Sequence, residues 1–142
     1  MACYSMKANK TFCPEIQEIE NVYSFISRFF SDCEIDISIE NLFKMAVDEI
    51  LSNIVYYGFE ESQEGAIVVV SIQIDSNAVS ITFRDNGKPF DPLSIEEPDI
   101  SLGIDERQMG GLGIHIIKNS FNEVHYSFEN GYNVLTLKKR IV

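Results

Sequence analysis

Three short segments constrain this chain more than anything else in it. Glu49 and Asn53 stand at i and i+4 within Met45-Ala46-Val47-Asp48-Glu49-Ile50-Leu51-Ser52-Asn53. Asp85-Asn86-Gly87-Lys88-Pro89-Phe90-Asp91-Pro92 follows, and then Gly110-Gly111-Leu112-Gly113. In that order they supply a carboxylate base, an amide able to hold a metal, an acid for a base edge, and backbone donors for phosphates. A fold that uses them together must bring a helix face, a strand end and a helix start to one place. Nucleotide sites are built that way.

The periodicities place each segment on an element. Residues 3–13 read as a first strand, ended by Pro14, which is expected to open a helix where its missing N–H costs nothing. Ile16, Ile19, Val22, Tyr23, Ile26, Phe29 and Phe30 recur at helical spacing to about Ser31. Asp36 or Ser38 would cap a second helix, from about Ile39 to Tyr57 and stopped by Gly58. On it Phe43, Ala46, Val47, Ile50, Leu51 and Ile54 form a broad apolar arc, with Glu49 and Asn53 at its edge. Residues 65–74 are rich in β-branched side chains and read as an interior strand. After the turn Asp75-Ser76-Asn77 comes a return strand, 78–84, with Val79, Ile81 and Phe83 alternating against Ser80, Thr82 and Arg84. Asp85 then closes that strand.

A long connection runs from Asn86 to about Gln108, and loops of that length in compact domains are usually functional. Gly111 to Asn119 reads as a short helix, and 124–128 and 132–139 as a last hairpin turning at Glu129-Asn130-Gly131. The order is strand, two helices, two strands, loop, helix, two strands. It predicts an α+β fold, a two-layer sandwich with helices on one face of a mainly antiparallel mixed sheet.

Each segment carries its own chemistry. Side chains four apart on a helix point at one spot, so Glu49 is placed to take a proton from a hydroxyl and Asn53 to ligate Mg²⁺ through oxygen. Asp85 at a buried strand end accepts a hydrogen bond from an exocyclic amine, and Gly87 lets the backbone approach a flat ligand. Gly110, Gly111, Leu112 and Gly113 lead into a helix whose first N–H groups can bind phosphate oxygens. The segment is neither a Walker A motif nor a dinucleotide fingerprint. His115 and His125 have no acid or cysteine at metal spacing beside them.

Bulk properties narrow the function further. With 142 residues, 45% hydrophobic and 23% charged, the chain is expected to form one globular domain, 1–142. Its formal net charge of −11 argues against direct nucleic-acid binding and against an anionic membrane surface. It lacks a signal core at the start, and its longest apolar run falls far short of the roughly 20 residues of a membrane helix. Cys3, Cys13 and Cys33 are odd in number and lack metal spacing, which fits reduced thiols and a cytoplasmic location.

The ordered set resembles the Bergerat-fold (GHKL, histidine kinase-like) ATPase superfamily. Glu49-Ile50-Leu51-Ser52-Asn53 is similar to its N-box, Asp85 to Pro92 to its first glycine box, and Gly110 to Ile117 to its second. The Pro-Phe-Asp-Pro ending and the chain length resemble the bacterial anti-sigma serine/threonine kinases of the RsbW and SpoIIAB type. That resemblance implies ATP and Mg²⁺ as cofactors, with Glu49 as general base and Asn53 holding the metal. It implies Asp85 and Gly87 at the adenine and Gly110, Gly111, Leu112 and Gly113 at the phosphates. It further implies a lid in the loop of about 91–109, from which Arg107, and less directly Lys88, reaches the phosphates. A late-strand threonine of the superfamily has Asn133 or Thr136 as its counterpart here. The partners implied are a sigma factor and a STAS-type anti-anti-sigma protein phosphorylated on serine, acting on a homodimer. Two other functions share these features: an ATP-gated binding module without catalysis, and the detached catalytic domain of a two-component histidine kinase.

Overall fold

A computed structural model describes residues 5–60, 63–94 and 111–141, with only the backbone of residues 111 and 112. Five strands form one sheet: β1 (Ser5–Phe12), β2 (Val68–Asp75), β3 (Ala78–Asp85), β4 (Glu123–Glu129) and β5 (Tyr132–Arg140). Their order across the sheet is β1-β2-β3-β5-β4, and all four pairings are antiparallel. No parallel pairing of a mixed sheet occurs among the described residues. Three helices, α1 (Ile19–Cys33), α2 (Ile37–Asn53) and α3 (Gly111–Ser120), complete the expected α+β architecture.

Alternation decides which sheet face is covered. Val68, Val70, Ile72 and Ile74 of β2, Val79, Ile81 and Phe83 of β3, and Leu135 and Leu137 of β5 are buried in one cluster with the helices. Val22, Ile26, Phe29 and Phe30 of α1 and Phe43, Ala46, Val47, Ile50 and Leu51 of α2 supply the other half. Phe30, Phe43 and Phe121 meet edge to face, with centroids 5.4 and 5.2 Å apart. The helices therefore form one layer over one sheet face, and the apolar arc read from α2 is the one that is buried.

Local chemistry fixed most boundaries. Asp36 caps α2, its carboxylate accepting from the Ser38 N–H at 2.8 Å. Asp75 turns the β2–β3 hairpin by accepting from the N–H groups of Asn77 and Ala78. Asn130 and Gly131 both have positive φ, 53° and 84°, as a two-residue hairpin turn demands.

Two boundaries differ from the periodicity. Glu15 is extended, and the chain enters α1 through a 3₁₀ turn, Ile16–Glu18, so Pro14 opens no α-helix and Ile16 is 40% exposed. The regular part of α2 ends at Asn53 rather than Tyr57. Ile54–Gly58 widens into a π-helical turn, a distortion common at functional sites. It sends the Gly58 carbonyl toward the loop after β3, where it accepts from the Lys88 N–H at 3.0 Å.

Candidate functional site

Among the described residues, three polar or charged side chains are buried: Asn53, Asp85 and Asn133, each 5% exposed or less. All three line one pocket, with Ile50, Gly58, Phe90 and Tyr126 around them. Buried polar groups cost stability unless partnered, so their convergence marks a place built to hold something polar.

Asp85 ends β3 directly opposite Asn133 of β5. Its Oδ1 accepts from the Gly87 N–H at 2.9 Å and from the Asn133 amide at 3.0 Å. Burial pushes the Asp85 carboxyl above its ordinary range, and those two donors partly offset the rise. Gly87 has no room for a side chain: a Cβ there would stand 2.5 Å from the Gly58 carbonyl oxygen. The loop after β3 thus presses on the end of α2, and the close approach that Gly87 permits is to the Gly58 backbone.

Asn133 ties the pocket together. Its Nδ2 donates to Asp85 and to the Lys88 carbonyl at 2.9 Å, and its Oδ1 accepts from the Phe90 N–H at 3.0 Å and from the Tyr126 hydroxyl. Thr136 is excluded from this role by parity. It sits on the opposite sheet face, bonded to Thr82 at 3.1 Å. Counting by twos from Leu135 and Leu137 would have placed Asn133 on the core face. Tyr126 and the Tyr57 ring stacked on Phe90 at 5.4 Å carried no sequence signal, because the partners come from elements distant in the chain. Asn133→Ala would strand Asp85 and two loop groups, so we expect a loss of about 2–4 kcal/mol in thermal unfolding. A change below about 0.5 kcal/mol would show the network to be dispensable.

Glu49 lies one turn before Asn53 on α2, half-buried, and faces the start of α3 at Gly113. Burial raises its carboxyl, Asn53 beside it favours the ionised form, and the Asp48 charge raises it again. Neither Glu49 Oε1 nor Asn53 Nδ2, both buried, makes a hydrogen bond of normal geometry to protein. Carboxyls raised in the folded state hold their proton to higher pH than in the unfolded chain. The contribution of such a group to stability is therefore fully present below the ordinary carboxylate range and is lost as pH rises through its folded-state value. Glu49→Gln removes that loss. We expect it to melt about 1–3 °C above the parent at pH 8 and equal to it below pH 4, roughly. A gap that does not close on acidification would assign the effect to packing.

The remaining expected residues divide. Lys88 is exposed and joins the site through its backbone, while Lys118 of α3 donates to the Leu93 carbonyl at 2.9 Å. Gly111 starts α3 as expected. Arg107, Gly110 and residues 95–109 of the expected lid lie outside the described residues, and of Leu112 only the backbone is described. No cluster of three or more His, Cys, Asp or Glu able to hold a metal occurs among the described residues. None of the described helices is long and apolar enough to cross a membrane.

Comparison with known proteins is consistent with this geometry. A family model described as the histidine kinase-like ATPase domain matches residues 12–139. The serine/threonine-protein kinase BtrW of Bordetella bronchiseptica is 30% identical over 93 residues, covering 66% of this chain and 65% of that protein. The serine-protein kinase RsbW of Listeria innocua is 31% identical over 106 residues, 71% of this chain and 66% of the relative. The anti-sigma F factor of Clostridium perfringens is 26% identical over 111 residues, 76% and 79%. The chain thus matches slightly less than two thirds of the length of relatives such as BtrW. Among solved structures, the RsbU and RsbW domains of a Mycobacterium tuberculosis protein share the fold. That match has a TM-score of 0.63 at 17% identity, over 95% of this chain and 32% of that one.

Proposed function

This chain belongs to the histidine kinase-like ATPase domain family, and on that premise we propose that it is a serine/threonine protein kinase of the anti-sigma type. The observation that carries the reading is the convergence of Asn53, Asp85 and Asn133 on one pocket, one helical turn from a carboxylate whose buried oxygen makes no hydrogen bond of normal geometry.

The residues fit ATP and Mg²⁺. A buried acid at the pocket base suits an adenine amine, and the buried amides of Asn53 and Asn133 line the same pocket. Asn53 offers a single neutral amide oxygen in place of an all-protein metal cage. That suits an ion which keeps its waters and rides on phosphates. Bound Mg²⁺ would neutralise charge developing on the phosphates during transfer.

In the proposed reaction the O–P bond to a substrate serine forms as the bond to ADP breaks, and the hydroxyl proton passes to Glu49. Burial of the Glu49 carboxyl brings its proton affinity closer to that task. Asp85, held by Asn133 and the Gly87 N–H, orients the base. Gly110, Gly111, Leu112 and Gly113 are assigned to the phosphates, and Arg107 and Lys88 are proposed as further phosphate contacts.

The proposal includes a sigma factor and a STAS-type anti-anti-sigma protein as partners, a homodimer, and a cytoplasmic location. The names of the relatives, anti-sigma F factor and serine-protein kinase, support the sigma-factor partner and the kinase activity. Titration calorimetry with ATP tests the site directly. We expect binding in the micromolar range that requires Mg²⁺, and absence of binding would overturn the reading.

A further inference from the structure

Gly113 is the third residue of α3, and its backbone is not left-handed: among the described glycines only Gly65 and Gly131 have positive φ. Its conformation would accept any L residue. Space is what forbids one. A Cβ on Gly113 would stand 2.2 Å from Cδ and Oε2 of Glu49 and 2.6 Å from its Cγ, where real contacts stay above 3.0 Å.

The group in the way is the end of a flexible side chain. At Gly87 the obstacle is backbone, the Gly58 carbonyl. Substitution at 87 would strain the loop itself, whereas substitution at 113 would move the Glu49 carboxylate first. With Oε2 against Gly113 and Oε1 buried without a hydrogen bond of normal geometry, the carboxylate is held at the start of α3 by packing.

We infer that Gly113 is a positioning residue for Glu49, its missing side chain forming the slot that holds the carboxylate in place for proton transfer. The inference rests on the reading of Glu49 as the base and adds a task distinct from phosphate binding.

Gly113→Ala in the full chain tests it through four readouts: melting temperature, affinity for a fluorescent ATP analogue, NMR NOEs between the Glu49 side chain and residue 113, and phosphoryl transfer. Glu49→Gln identifies the NMR signal. We expect melting within about 3 °C of the parent and a loss of affinity much smaller than the loss of transfer, because alanine keeps the N–H assigned to the phosphates. The parent should show NOEs from the Glu49 side chain to Gly113 Hα, and these contacts should be lost or weakened in the variant as the carboxylate is displaced. Transfer should fall about tenfold to a hundredfold, the usual effect of ångström misplacement.

A Glu49→Ala background removes the three atoms nearest to that methyl, so there Gly113→Ala should raise the melting temperature by about 2–3 °C through helix propensity. An unchanged set of Glu49 NOEs would overturn the inference. So would a loss of nucleotide affinity matching the loss of transfer, because phosphate binding alone would then account for Gly113. If the parent transfers no phosphoryl group while the NOEs still change, the base reading fails and control of the carboxylate by Gly113 stands.

Discussion

Glu49→Gln should abolish phosphoryl transfer while leaving ATP bound. The substitution keeps size and shape and removes only the ability to take a proton. Loss of a positioned base lowers rates by about 10²–10⁴-fold, and that is the expected fall in transfer from ATP to the antagonist protein. ATP affinity by calorimetry should change less than about threefold, because Glu49 does not line the adenine pocket. Transfer within about tenfold of the parent would mean that Glu49 is not the base, since phosphoryl transfer by positioning alone needs little proton abstraction. A parallel collapse of binding and transfer would move Glu49 to the metal and phosphates.

Asp85→Asn should do the opposite and remove nucleotide binding itself. Asp85 is a buried acceptor held by Asn133 and the Gly87 N–H. An amide in its place turns an NH₂ toward the base edge or toward Asn133, and either way two donors face each other. Loss of a charged hydrogen bond together with an unpaired buried donor amounts to about 3–4 kcal/mol. ATP affinity should therefore fall about a hundredfold or more. The variant should stay folded, because the apolar core beneath the site is untouched. Affinity within about threefold of the parent would place the base elsewhere. Comparing the two variants separates recognition from chemistry: Asp85 should control binding and Glu49 transfer.

The apolar arc of α2 and the alternation of the hairpin strands were legible because burial follows period on a regular element. Asp36, Asp75 and Asn130-Gly131 were legible as cap and turns because their side chains or φ values act within three residues. The π-helical turn after Asn53 was not, since nothing in Ile54-Val55-Tyr56-Tyr57-Gly58 opposes an α-helix locally. The turn accompanies the bond from Lys88, thirty residues on, to the Gly58 carbonyl. The choice between Asn133 and Thr136 lay between these cases. It followed from strand parity, but its meaning depended on which residue β3 placed opposite.

By itself the sequence determined the elements, the covered sheet face and the three segments of the site, because each rests on local propensity or on a period of 2 or 3.6 residues. Only the tertiary structure decided that Asn133 and Tyr126 hold Asp85, and that Gly113 leaves room for Glu49. Those contacts join β3, β4, β5, α2 and α3 across long stretches of chain. Distance of closest approach between such elements is set by packing, which no local pattern encodes.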